Sequence, residues 1–141
     1  MSGFLPFSEV RMERGRILIV GQTKENTYEI RNLLDQESYE LEIALSREVA
    51  KQILLQRRMN VLVLHTEAVG PEMEEFFEFL DDRGIEIPTV VLGDEAKKVG
   101  ETLSYRPQLR CFEKPYPMEE MLGAIRDLCE RRRDGAAVRT G

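Results

Sequence analysis

Residues 61–67 read VLVLHTE and place the chain's single histidine, His65, after four consecutive aliphatic residues. Such an apolar run is typical of a strand that is buried on both faces in a parallel sheet. Imidazole is a competent nucleophile for a phosphoryl group, and its charge changes close to neutral pH. A third role is a purely local hydrogen bond. We favour this third role, because the neighbouring sequence holds no second histidine and no obvious carboxylate to orient the ring.

A second residue whose side chain could bind a ligand is Lys114, which is followed by proline in the stretch FEKPYP. Its amine can bind a phosphate or pair with Asp94 or Glu67. These two carboxylates are also a weak candidate for a metal-binding pair. Solvated carboxylates on the surface are the far more common case.

Apolar runs alternate with helix-period stripes five times along the chain, and these elements must position the groups above. Strand–helix alternation requires right-handed crossovers and a parallel sheet covered on both faces. The second strand alternates apolar and polar residues, which suits an edge. We therefore predict an α/β fold, the flavodoxin-like (βα)5 doubly wound parallel five-stranded sheet of order 2-1-3-4-5. The predicted strands are Arg16–Val20, Tyr39–Leu45, Asn60–Leu64, Pro88–Leu92 and Leu109–Glu113.

The helical stripes predict which side chains face the core. We expect Ser46 to cap the second helix and Gly84 to end the third. The inward residues predicted for the first three helices are Tyr28, Ile30, Leu33 and Leu34, then Val49, Ala50, Ile53 and Leu54, then Met73, Phe76, Phe77 and Leu80. On the second strand, Leu41, Ile43 and Leu45 share one face.

The carboxyl ends of strands one, three, four and five meet at one edge of such a sheet, where open α/β folds bind ligands. We call this edge the rim. GQTKEN follows the first strand in place of GxGxxG, which argues against a dinucleotide enzyme. The predicted rim residues are Gly21, Gln22, His65, Thr66, Glu67, Gly93, Asp94 and Lys114.

The chain has 141 residues, a net charge of −6 and 42% hydrophobic residues, which fits one globular domain. Its acidic balance argues against direct nucleic-acid binding and against anionic membranes. Two cysteines without metal-binding spacing predict neither a disulfide framework nor a zinc site, so we expect a cytoplasmic protein. We predict a flexible extension over 1–15, a domain over 16–130, and a polar tail or linker start over 131–141. Phe4, Leu5 and Phe7 leave docking of the extension open.

The chain resembles the receiver domains of two-component response regulators over about residues 16–130. The resemblance is carried by RILIV, VLVL, IPTVVLGD and above all FEKPYP. It implies a magnesium-dependent phosphorylation site whose acidic pair corresponds to Gly21 and Gln22 and whose phosphoacceptor aspartate corresponds to His65. The hydroxyl residue corresponds to Gly93 and the lysine to Lys114. Since only the lysine matches the family's residue types, the resemblance implies a degenerate receiver, or pseudo-receiver.

The same resemblance identifies residues that could contact a partner. The family's aromatic switch corresponds to Cys111, while the aromatic Phe112 follows one position later, beside Glu113. The family often pairs two copies through the fourth helix, the fifth strand and the fifth helix. On the acidic third helix, Phe79 lies outside the inward stripe and is a candidate contact for a partner.

We therefore expect a phosphorylation-independent signalling domain that acts through protein–protein interaction. A homodimer and an attached or partner output module, such as a transcriptional regulator, fit this expectation. We expect no catalytic residue, no bound metal and no cofactor. Two alternatives remain open: a sensor of a small molecule or anion near His65 and Lys114, and an atypical phosphoacceptor using His65, Asp94 or Glu67.

Overall fold

The computed structural model describes residues 15–140 and contains one five-stranded parallel sheet of order β2-β1-β3-β4-β5. This order confirms the predicted flavodoxin-like fold. Most of the predicted N-terminal extension lies outside the described residues. The strands are β1 Arg16–Val20, β2 Glu40–Ala44, β3 Val61–His65, β4 Thr89–Leu92 and β5 Leu109–Phe112.

Five helices follow the five strands. A single helical turn, Thr66–Val69, and a 3₁₀ turn, Gly70–Glu72, connect β3 to the third helix. The last helix continues through most of 131–141, and where the domain ends remains a prediction. Within residues 15–140, no helix is both long enough and apolar enough to cross a membrane. The helices are α1 Lys24–Asp35, α2 Arg47–Gln56, α3 Met73–Asp82, α4 Ala96–Thr102 and α5 Met118–Thr140.

The core has two layers, one on each face of the sheet. Along β1, Leu18 and Val20 face the layer that α2, α3 and α4 cover, while Ile17 and Ile19 face the layer of α1 and α5. All five residues of β3 are buried. Consecutive strand side chains point to opposite faces, so a strand in the middle of a doubly covered sheet is apolar at nearly every position, and the one polar side chain of β3, His65, is hydrogen-bonded.

Three residues predicted to face inward are exposed: Tyr28, Leu45 and Val49. On α1 the small polar Thr27 takes the inward position instead, and its hydroxyl donates to the Lys24 carbonyl at 3.0 Å. Ile30 and Leu34 of the predicted stripe are buried, so counting apolar side chains alone failed only at its first position. Leu45 is exposed because β2 ends at Ala44.

Both predicted helix boundaries are confirmed. The Ser46 hydroxyl accepts from the Val49 amide at 3.2 Å, which caps α2. At the end of α3, Gly84 has φ +68°, its amide donates to the Asp81 carbonyl, and the Ile85 amide donates to Leu80. This pair of hydrogen bonds closes the helix and requires a left-handed residue.

We expect Gly84→Ala to lower the free energy of unfolding by about 1–2 kcal/mol, because a side chain is strained in the left-handed region. Gly123→Ala is the matched control: Gly123 lies within α5, and a Cβ there would meet nothing within 4 Å. That change should raise the free energy of unfolding by about 0.5–1 kcal/mol. Urea denaturation measures both, and two changes of the same sign would contradict this interpretation.

Candidate functional site

The structure brings the predicted rim residues to the carboxyl edge of the sheet. Gly21 directly follows β1, His65 ends β3, Gly93 directly follows β4, and Lys114 lies two residues after β5. The Gly21 amide donates to the Ala44 carbonyl at 3.0 Å, and the Gly93 amide donates to Phe112 at 3.3 Å. These bonds continue the parallel pairing into the rim. The Lys114–Pro115 peptide bond is cis.

His65 is a buried residue of the rim, with only 4% of its surface exposed. Its Nδ1 lies 3.2 Å from the Val20 carbonyl oxygen. Because a carbonyl oxygen only accepts hydrogen bonds, Nδ1 carries the proton. Burial lowers the pKa of His65 below its ordinary value, against the opposing effects of the Val20 bond and of Glu67 and Glu29. His65 is therefore neutral at neutral pH and is held by its neighbouring strand, as the local role predicts.

Gly93 occupies the position of the family's hydroxyl residue, and another side chain fills the space beside it. A Cβ built on Gly93 would overlap the Thr66 hydroxyl and lie 3.1 Å from Thr66 Cβ. Gly93 also has φ +138°, a conformation that side chains rarely adopt. Thr66 thus brings a hydroxyl to the place where a side chain of residue 93 would begin. Its sequence position after β3 indicated the rim but not this contact.

Three carboxylates from different elements act on the half-buried Tyr116, which follows β5. Burial raises the pKa of Tyr116, and the negative charges of Glu67, Asp94 and Glu29 raise it further. Glu29 belongs to α1 and was not among the predicted rim residues. These carboxylates give the rim negative charge beside the single lysine Lys114.

The proposed metal pair, Glu67 and Asp94, gains no third ligand in the described part of the chain. Among residues 15–130, no three His, Cys, Asp or Glu side chains come close enough together to hold a metal ion. Gly21 offers no side-chain oxygen, and Gln22 is exposed and uncharged. The hard-cation chemistry that carboxylate pairs provide is therefore not assembled among these side chains.

Two residues predicted as interaction candidates, Cys111 of β5 and Glu113 just after it, contact α4. The Glu113 carboxylate accepts from the Lys97 amide at 3.0 Å, in the first turn of α4. Negative charge is favourable there because the helix dipole is positive at its N-terminus. One turn along, a Cβ on Gly100 would lie 2.9 Å from the Cys111 sulfur. Close approach of α4 to β5 therefore needs glycine at this position.

Cys111 and Phe112 point to opposite layers. Cys111 packs with the layer of α2, α3 and α4, whereas Phe112 packs with the layer of α1 and α5. Burial, followed by the charge of Glu113, raises the pKa of Cys111 to about 11, so its thiol stays protonated at neutral pH. Because strand side chains alternate, the aromatic ring of Phe112 cannot stand in for the aromatic switch at position 111.

Phe79 lies on α3, apart from the rim, and is half-buried against the core layer of α2, α3 and α4. The Lys51 ammonium lies 5.0 Å from the ring centroid, and the Arg83 guanidinium lies 5.4 Å from it. Two cations of the same chain therefore already use this ring. Its role as a partner contact stays a prediction.

No protein-family model and no curated protein matches this chain. Solved structures do match, and receiver domains are among them. The receiver domain of Francisella response regulator 1452 is 16% identical with a TM-score of 0.72, covering 83% of this chain and 98% of that one. The signal receiver domain assigned to a Luxo repressor protein of Vibrio parahaemolyticus is 15% identical with a TM-score of 0.78, covering 89% and 97%.

A third match is the signal receiver domain of an HD domain-containing protein from Pseudomonas fluorescens Pf-5. It is 18% identical with a TM-score of 0.74, and the alignment covers 86% of this chain and 91% of that one. At these identities the likeness concerns the fold. The chain therefore has the fold of a response-regulator receiver domain.

We expect Gly93→Ser to lower the free energy of unfolding by about 1–3 kcal/mol, because the new side chain meets Thr66 and adopts a strained φ. In the Thr66→Ala background the cost should fall, giving a coupling free energy of about 0.5 kcal/mol or more in a double-mutant cycle. Thr102→Ala, on the exposed face of α4, is the control and should be additive with Gly93→Ser. Additivity with Thr66→Ala as well would disprove the contact.

Stability should fall as the pH drops below about 6.5, the ordinary pKa of histidine. The folded-state pKa of His65 is lowered, so the unfolded chain binds a proton first, and stability present above this pH is lost below it. The slope contributed by one such group is at most about 1.4 kcal/mol per pH unit. Urea denaturation between about pH 7.5 and about pH 5.5, roughly one unit either side of that pKa, measures it.

His65→Gln is the matched variant, because it removes the chain's single histidine and leaves the carboxylates in place. The pH slope of its stability over the same range should be smaller than that of the parent chain. An unchanged slope would mean that His65 is not the buried neutral group described above.

Proposed function

We propose that this chain is a phosphorylation-independent, receiver-like signalling domain that acts by protein–protein contact and has no catalytic residue or cofactor of its own. The observation that carries the proposal is the rim, which holds Gly21, Gln22, His65 and Gly93 where an active receiver holds carboxylates and a hydroxyl. Lys114 is the one residue type retained.

Phosphoryl transfer depends mainly on metal-assisted positioning and on neutralising charge. A glycine and an amide supply no negative charge for Mg²⁺, and the neutral His65 supplies no carboxylate as the acceptor. Each change removes a different part of the reaction. Together they favour a domain that does not undergo the family's phosphorylation.

The contacts between β5 and α4 support a surface that exists without phosphorylation. The Glu113 carboxylate and the Cys111–Gly100 approach both place α4 against β5. Neither contact includes His65, so neither depends on whether a phosphoryl group is bound there. The face formed by α4, β5 and α5 is thus available for protein contact in the resting chain, and we propose a homodimer through it.

Receiver domains of a repressor protein and of an HD domain-containing protein are among the similar structures. We infer that this domain likewise regulates an attached or partner output module, such as a transcriptional regulator, in the cytoplasm. Direct binding of nucleic acid or membrane by this domain is not part of the proposal, because its net charge of −6 opposes both.

The rim charges weigh against the two alternatives. Glu29, Glu67 and Asp94 would repel an anionic ligand beside Lys114. Burial of His65 weighs against an atypical phosphoacceptor, because a ring with only 4% of its surface exposed gives a phosphoryl donor little access.

Self-association should weaken in Lys97→Glu. Lys97 is an exposed residue in the first turn of α4, and its amide contacts Glu113 just after β5, in the region of the proposed interface. The change puts a negative charge beside the Glu113 carboxylate in both copies of a symmetric interface, and negative charges brought together there repel. Lys98→Glu is the matched control, because Lys98 lines a cavity with Met73 and Glu74 on the α3 side of the same helix.

Light scattering over a concentration series measures the dissociation constant of the parent chain and of both variants, with and without Mg²⁺ and beryllofluoride. The proposal predicts association that Lys97→Glu weakens, Lys98→Glu preserves and beryllofluoride leaves unchanged. A chain that stays monomeric throughout would remove the homodimer, and association that requires beryllofluoride would contradict phosphorylation independence.

A further inference from the structure

A cavity of about 350 Å³ opens at the edge of the sheet opposite the rim. Thr89 and Leu109 are the first residues of β4 and β5, so the cavity lies at the amino ends of these strands. Apolar groups form much of its wall, and the ring of Tyr105 is 69% exposed there. The apolar wall residues are Ile87, Tyr105, Pro107 and Leu109.

Three polar residues of this wall, Asp81, Thr89 and Arg106, are held by hydrogen bonds of their side chains. The Arg106 guanidinium donates to both carboxylate oxygens of Asp81, at 3.0 and 3.1 Å, and lies 4.7 Å from the ring centroid of Phe77. The Thr89 hydroxyl donates to Ile87, and the Thr89 amide donates to Gln108. Bidentate pairing of this kind fixes geometry. The cavity is therefore preformed, and what it offers a ligand is mainly apolar surface.

The chain carries a matching apolar segment shortly before β1 in the sequence. Residues 4–7 read FLPF and lie outside the described residues. The described chain begins at Gly15, whose carbonyl accepts from Glu40, and Arg16 opens β1 at the same edge as Thr89 and Leu109. Three large apolar side chains within four residues favour burial over exposure to water.

The chain between residues 4–7 and Gly15 is long enough to reach from β1 to the cavity. With the strand order observed, β4 and β5 lie two and three strands from β1, or roughly 10–14 Å at the usual strand spacing. Position 7 lies eight residue-to-residue steps before Gly15, and that length of chain reaches up to about 26 Å. Residues 4–7 can therefore reach the cavity of the same molecule.

We propose that the FLPF segment, residues 4–7, docks in the cavity formed by Ile87, Tyr105, Pro107 and Leu109. The occupant belongs to the same chain rather than to a second copy or a foreign partner. The reason is its tether, which holds the apolar segment near the cavity at high effective concentration.

The test uses the full chain with Phe7→Trp, since the protein contains no tryptophan and the new indole reports on this segment alone. The proposal predicts blue-shifted emission and shielding from a soluble quencher, both independent of protein concentration. Tyr105→Ala, which removes an exposed side chain from the wall, should abolish the shielding. Tyr28→Ala is the matched control, because Tyr28 is also exposed but lies on α1, away from the cavity.

A second measurement keeps the outcome clear if Tyr105→Ala disturbs folding. Contacts between the introduced indole and the methyl groups of Ile87 and Leu109 should appear as nuclear Overhauser effects in the otherwise unaltered chain. Solvent-like emission, or absence of these effects in a well-dispersed spectrum, would overturn the proposal. Shielding that grows with protein concentration would place the segment in a second copy and would also overturn it.

Discussion

The structure depends on the burial of β3 between β1 and β4. Four of its five residues pair in parallel with each neighbour, and none has an exposed face, so the strand cannot shift by one residue without moving all its side chains to the wrong layer. This register fixes His65 beside the carbonyl of Val20. It also fixes the edge at which Gly21, Gly93 and Lys114 meet.

Around that fixed edge, local contacts occupy the places where an active receiver carries out its chemistry. The Val20 carbonyl holds His65, the Thr66 hydroxyl fills the space beside Gly93, and the Glu113 carboxylate holds the start of α4. Each contact is made within the chain. The rim is thus a packed structural region with surplus negative charge, and the surface next to it is positioned by β5.

The fold was predictable because long apolar runs and helix-period stripes are strong signals, and because one strand alternates as an edge strand does. On α1, Ile30 and Leu34 are buried as predicted, but Tyr28 was wrongly placed inward, since the buried Thr27 with its satisfied hydroxyl is not counted as apolar. Individual rim positions followed from the strand ends and the resemblance to receivers.

The contacts of those rim positions did not follow from sequence. The Thr66–Gly93 contact depends on the path of the turn after β3, and Glu113 reaches an amide 16 residues away. Glu29 acts at the rim because of how α1 crosses the sheet. Such distances between positions far apart in sequence are set by tertiary packing, which composition and periodicity do not encode.

Phosphorylation independence is tested by the amide spectrum of the chain titrated with Mg²⁺ and beryllofluoride, compared with the spectrum of Glu113→Gln. We expect the Lys97 amide signal to move when its acceptor is changed, and the signals of His65, Gly93 and α4 to stay in place when the fluoride complex is added. Saturable shifts that begin at His65 and Gly93 and extend into α4 would contradict phosphorylation independence.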